Sequence, residues 1–430
     1  MPHLRLSTFL LPFATAVALN ADTATAPNLP TDAVSLTAVV EQIVDSNPEL
    51  KFYQAELEVS RGAARIAASR EAPELSLDLG RRRLRDSAGV LEGEGTAWAV
   101  SVSQTFDWPG RLALRKAIAN SDVELAELGL QRFRAALAAR AFTLAYGLYG
   151  AAEKAAAIRE VANRFAALKE TFLARDPAGI TPLLETRVIE AGELALQRRA
   201  TGAELEAKRA LVELNQLRGV PLDTPIQTRA NRFAFGRVPD ASELLSAARE
   251  RNFEYRARRL ELEQQGFAVR LAQNERRPSI TVSPYVSRSR AGEQESTYGV
   301  GVSVPLPLTA KSRAAVDVAK AKQRQAEAVL ALAERELERE VMAAADEFGA
   351  KSTEAQRWSA GAISQFRESA ALADRHYRLG AVPVATYIEL QSSYLDAVEA
   401  LIDTQREAIE AGLKLQLLTG TNFKAVETVE

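Results

Sequence analysis

Two stretches of this 430-residue chain run for more than sixty residues without a proline, from Gly110 to Asp176 and from Thr309 to Val382. Both are rich in alanine, leucine, glutamate and arginine, the composition of long helices. The spacing predicts helices over about 110–175 and 309–379. A helix of that size is about 100 Å long at 1.5 Å per residue, too long for a compact domain to enclose. It belongs in a bundle, a coiled coil or the wall of a tube.

The two stretches are copies. Ser46–Leu50, SNPEL, matches Arg251–Tyr255, RNFEY, and Pro73 matches Pro278, both at an offset of 205. Val100, Val102 and Ser103 match Val300, Val302 and Ser303 at 200, and Gly179, Pro182 and Gly219 match Gly380, Pro383 and Gly420 at 201. The offset drops once, between GRRRLRDSAGVLEGEG and SRSRAGEQES, where a loop shortens freely. A series of matches with one gap is a duplication. The expected division is a leader over 1–21, a first repeat over 22–220, a second over 221–420 and a C-terminal tail over 421–430. Each repeat reads as a helix (Leu36–Glu71; Ala241–Arg277), a β-hairpin (about 73–108; about 278–308), the long helix, a short tip (about 176–182; about 379–383) and a closing helix.

Within the hairpins apolar and small residues alternate: Leu75, Leu77 and Leu79; Trp98, Val100 and Val102; Ile280, Val282 and Pro284; Tyr298, Val300, Val302 and Val304. Period two puts the apolar set on one face. A tilted strand of about 9–11 residues crosses a bilayer, and Trp98 and Tyr298 are expected at strand starts, where membrane-interface aromatics are common. A half-buried sheet in a soluble domain also alternates, but no other apolar layer is left in the chain to cover this one. Four strands cannot close a barrel and an open edge cannot face lipid, so several chains must share the barrel; three would supply twelve strands and leave a lumen. In the first long helix Leu130, Phe133, Leu137, Leu144 and Leu148 form one seam. Ala135, Ala138, Ala139, Phe142 and Tyr149 form a second beside it, as a helix with a neighbour on each side requires.

The N-terminus has one arginine, an apolar run from Leu6 to Leu19 and small residues, the pattern of a secretory signal cleaved after Ala18 or Ala21. No later segment is a transmembrane helix candidate. The chain has no cysteine, which excludes disulfides and thiolate chemistry, and past the leader its one histidine is His376. There is no glycine-rich phosphate loop, so no catalytic residue, cofactor or metal ligand is expected. A net charge of −2 gives no pull toward nucleic acid. The run Arg81-Arg82-Arg83-Leu84-Arg85 reads as a solvated hairpin loop or as a contact for lipopolysaccharide phosphates.

SLTAVVEQIVDSNPEL, VSQTFDWPGR, VSVPLPL and YRLGAVPVATYIELQSSYLDA resemble the TolC-type outer membrane efflux proteins, over about Ser35 to Gly420. The PLPL stretch and the layout look most like the heavy-metal, CzcC-type branch. The resemblance implies a mainly α chain with a small β part. It also implies a homotrimer, with a twelve-stranded barrel in the outer membrane of a Gram-negative bacterium and an α-helical tube in the periplasm. The partners implied are a periplasmic adaptor, an inner-membrane pump of the resistance–nodulation–division type and outer-membrane lipid. The chain would be a passive exit duct for heavy-metal cations or small toxic compounds, with no enzymatic activity. A protein-secretion exit duct and a poreless periplasmic coiled-coil scaffold are the alternatives.

Carried onto this sequence, the adaptor-docking tips are Gly179 and Pro182 in the first repeat and Arg378, Leu379, Gly380 and Pro383 in the second. Relatives narrow the entrance with acidic residues after the second tip. Glu389 matches one such position; the other is Thr386, opposite which the repeat places Glu185. Both glutamates also read as a solvated helix face.

Overall fold

The computed structural model describes residues 34–175, 183–229, 232–306, 310–358, 360–420 and 424–429. The expected leader over 1–21 and the expected first tip, with Gly179 and Pro182, lie outside the described residues. The first half comprises β1 (Val34–Ser35), α1 (Leu36–Ser46), α2 (Pro48–Ala67), β2 (Glu74–Arg85), β3 (Leu91–Phe106), α3 (Arg111–Arg175) and α4 (Leu183–Arg218). After β4 (Thr228–Arg229) and β5 (Arg232–Phe235), the second half comprises α5 (Ala241–Arg251), α6 (Phe253–Asn274), β6 (Ile280–Ala291), β7 (Glu293–Ser303), α7 (Lys311–Arg357), α8 (Ala360–Arg378), α9 (Val384–Thr419) and β8 (Val426–Val429). The fold is mainly α, internally duplicated, with one four-stranded sheet.

The opening helix of each half, expected as one rod, is two. Asn47 and Asn252 leave the helical region with the same angles, φ −59° and ψ 126°. Each asparagine then caps the next helix: Asn47 Oδ1 accepts from the Glu49 amide at 2.9 Å, and Asn252 Oδ1 from the Tyr255 amide at 2.9 Å. The other end of each amide ties down the end of a distant helix, Asn47 Nδ2 donating to Leu217 O at 2.8 Å and Asn252 Nδ2 to Leu418 O at 3.0 Å. Both α4 and α9 then stop at a glycine of positive φ, Gly219 at 68° and Gly420 at 83°. The long helix of the second half is also divided, at Trp358, whose ψ of 93° ends α7; α3 runs unbroken for 65 residues.

Short strands join the halves at mid-height. β1 pairs in parallel with β4, and β5 pairs antiparallel with β8, so part of the expected C-terminal tail is a strand. Pairings this short have no sequence period to announce them.

The sheet is antiparallel throughout, in the order β2-β3-β6-β7. Below it the helices follow the same lateral order, α2 against α3, α3 against α6, and α6 against α7. Farther from the sheet α3 continues between α4 and α9, and α9 packs on α8. Being central, α3 buries Ala141, Ala145 and Tyr146 completely, along with Val161. These residues and Leu36, Ile43, Leu214, Tyr387, Tyr394 and Ile409 belong to one elongated core. Among the described residues, no helix is long and apolar enough to cross a membrane.

Candidate functional site: the two-faced sheet and the helical tip

The strand register sorts the sheet's side chains into rows. Leu77, Val100, Val286 and Tyr298 lie side by side across all four strands, and Leu79, Trp98, Arg288 and Ser296 form the next row toward the hairpin ends. By alternation Leu75, Val102, Pro284, Val300 and Val302 share that face. Nothing among the described residues covers it: Leu75 and Leu79 are 73% and 76% exposed, and Tyr298 is 71% exposed. The opposite face carries Ser76, Asp78, Ala97, Ala99, Ser101, Ser103, Ser283, Ser287, Thr297, Gly299 and Gly301. The Tyr285 ring lies across Gly299, where a Cβ would come within 2.6 Å of it and the ring would have to move aside.

At 12, 16, 12 and 11 residues the strands are longer than the apolar band they carry, so β3 and β7 begin at Leu91 and Glu293, and Trp98 and Tyr298 lie inside the strands and not at their starts. The arginine run expected in a loop is therefore on strand, with β2 extending to Arg85 past the band. Trp98 sits at the band's edge, with the Arg288 guanidinium 6.0 Å from its ring centre.

Both margins of the chain are unfinished. The outer edges of β2 and β7 have no strand beside them among the described residues. The helices on those margins are also uncovered. On α2, Phe52, Val59 and Ile66 recur every seven residues, each more than two-thirds exposed. On α7, Val318 is 56% and Leu332 67% exposed. The seven-residue spacing of Phe52, Val59 and Ile66 is legible in the sequence, but the exposure of that face is not.

At the far end α8 turns into α9 through a helix stop of defined geometry. The Ala381 amide donates to His376 O and the Gly380 amide to Tyr377 O, both at 2.9 Å, with Gly380 at φ 75°. Leu379 is 76% exposed at the apex, Pro383 is the exposed N-cap of α9, and Arg378 pairs with Asp374 at 3.0 Å. Just inside, Tyr377 stacks on Tyr387 at 5.1 Å and Tyr387 meets Phe165 of α3 at 5.3 Å. Burial pushes the Tyr387 phenol well above its usual value, so it stays neutral. One turn deeper, Gln391 donates to Ala370 O at 2.7 Å and accepts from Arg164 at 3.1 Å. Glu160 bridges Arg164 and Arg367, which donates to Tyr394 Oη at 3.2 Å. These rings and ion pairs lock α3, α8 and α9 together behind the tip. Sequence reading missed them because each joins residues distant along the chain.

Thr386 and Glu389 lie one turn apart on α9, both exposed. Glu185 is in the first turn of α4, and its side chain is outside the described residues. Farther along, Arg199 of α4 reaches Asp396 at 3.1 Å and Glu399 at 2.8 Å on α9. Among the described residues no group of histidine, aspartate and glutamate is placed to hold a metal ion.

Comparison with known proteins meets this geometry. Residues 244–421 match the outer membrane efflux protein family. Among curated protein sequences no relative is found. The Campylobacter jejuni CmeC outer membrane channel superimposes with a TM-score of 0.73 at 15% identity, over 97% of this chain and 95% of that one. The outer-membrane channel OprN gives 0.72 at 20% identity, over 96% and 98%. The open state of the Neisseria gonorrhoeae MtrE outer membrane channel gives 0.71 at 18% identity, over 90% and 89%. The second half of the chain thus carries the outer membrane efflux protein pattern, and the whole chain has the fold of these outer-membrane channels.

Proposed function

We propose that this chain is one of three identical subunits of an outer-membrane exit duct, serving a tripartite efflux system. The observation that carries the reading is the coincidence of three open features on each margin: an unpaired strand edge, an apolar strand face and an exposed apolar helix seam. An unpaired edge in hydrocarbon costs several kcal/mol per unsatisfied group, so β2 of one copy must meet β7 of the next. The α2 seam then meets the α7 seam below. Three copies of four strands give twelve and an open bore, whereas eight strands would be plugged by side chains. The serine- and glycine-rich face lines that bore and the leucine–valine face meets lipid.

The helical part lies in the periplasm, with the tip around Arg378, Leu379, Gly380 and Pro383, and its counterpart at Gly179 and Pro182, offered to a periplasmic adaptor. A pump of the resistance–nodulation–division type supplies the cargo, heavy-metal cations or small toxic compounds. Glu389 and Glu185 bias the entrance toward cations, with Thr386 as an uncharged neighbour. Trp98 and Tyr298 mark the membrane interface.

The absence of native cysteine makes a direct test possible. Leu77→Cys combined in turn with Val302→Cys, Val304→Cys and Leu306→Cys gives, in at least one pair, disulfide-linked trimers from detergent-extracted membranes. Monomers in all three pairs reject the ring.

A further inference from the structure

Beyond the apolar band, the same face of the sheet becomes basic. Arg81 and Arg83 follow Leu79 on β2 at period two, and Arg288 and Arg290 follow Val286 on β6. All four are exposed. They stand at the hairpin ends, on the side of the band away from the helices. The Arg288 side chain lies over Trp98 and donates to Ser296 Oγ at 3.2 Å, which places this charge at the band's edge.

These charges are under-compensated. Arg81 and Arg83 share one carboxylate, Glu94, at 3.5 and 3.3 Å, and Glu92 stands one step beyond at the register shift. Arg288 and Arg290 have no ion pair among the described residues. The opposite face of the same strands differs: Arg82 there has its own carboxylate, Glu295, and donates to Ser289 Oγ at 2.6 Å. Facing the bore, arginine is matched one to one; facing outward, four arginines have one carboxylate in contact.

We propose that Arg81, Arg83, Arg288 and Arg290 form a belt that binds the phosphate groups of an anionic lipid in the leaflet at the hairpin ends, a proposal that rests on the membrane reading above. The guanidinium fork pairs with two phosphate oxygens at once, and partial removal from water strengthens the contact. The lipid's chains then lie along Leu79, Trp98 and Leu77, so one molecule satisfies both the basic and the apolar rows. A lipid without phosphate gains the apolar part alone.

The test uses the full-length assembly in neutral detergent, titrated with bisphosphorylated lipid A and with the same lipid stripped of phosphate. The wild type binds the phosphorylated lipid at least about tenfold more tightly, and added salt weakens the difference. R81Q/R83Q/R288Q/R290Q loses that preference, the matching lysine set keeps part of it, and R82Q stays within about twofold of wild type. If the quadruple variant does not assemble, R290Q, which breaks no ion pair, weakens binding measurably. Unchanged binding in the glutamine variants, equal binding of the stripped lipid, or full displacement by inorganic phosphate would each overturn the belt. Flotation with liposomes of zwitterionic, net-neutral phosphatidylcholine separates the two readings. A protein that does not float loses the membrane reading and the belt with it, whereas one that floats but ignores phosphate loses the belt alone.

Discussion

α3 and α7 come from the same duplicated stretch and end in opposite surroundings. α3 is flanked by α2 and α6 near the sheet and by α4 and α9 beyond, and its small residues are sealed. α7 has α6 and α9 on one side and leaves Val318 and Leu332 open on the other. Duplication explains the asymmetry without a second design. Within the chain, the long helix of the first half packs on the short helix of the second, α3 on α6, while β3 pairs with β6 above. In the proposed ring, α7 would pack on α2 of the next copy and β7 would pair with its β2, repeating that contact. On that proposal the interior interface and the subunit interface would be two instances of one solution.

The largest effect should separate the two surroundings. Tyr146→Ala removes a fully buried ring whose hydroxyl meets Gln405 at 2.9 Å, and should cost about 3–5 kcal/mol. Chemical unfolding followed by circular dichroism reads this as loss of the subunit itself. Leu332→Asp should leave the helical signal intact and shift sedimentation toward monomer; a drop in helicity as large as that of Tyr146→Ala would erase the distinction. Next in size are the joints. Asn47→Ala and Asn252→Ala should each cost about 1–3 kcal/mol, for a lost cap and a stranded carbonyl, and should do so equally. Unequal midpoint shifts would show that the halves have drifted apart energetically while keeping the same geometry. The smallest effect is electrostatic. Glu389→Ala should lower the cation-to-anion permeability ratio in planar bilayers by about twofold, the scale of one screened charge. An unchanged ratio would make Glu389 an ordinary solvated residue of α9.

What the sequence disclosed and what it hid divide along the same line. The strands of the sheet were legible because Leu75, Leu77 and Leu79 alternate, and α3 because nothing in it breaks a helix. The break at Asn47 was written as Asn-Pro and still passed as mid-helix, while Asn252 breaks the rod with no proline to signal it. Trp358 ends α7 through its backbone angles, which its side chain does not announce. At the tip, Gly380 reads as a helix stop from RLGAVP, and the structure supplies its left-handed angle. The stack of Tyr377, Tyr387 and Phe165 behind it was hidden, since it depends on α3 meeting α8 and α9 far along the chain.

The Tyr285 ring resting on Gly299 ties those two positions together. A methyl group at 299 shifts the phenol, and loss of the phenol uncovers the backbone at 299 on the serine- and glycine-rich face. The constraint runs one way: a larger residue at 299 must displace the Tyr285 ring toward solvent, whereas a smaller residue at 285 meets nothing at Gly299.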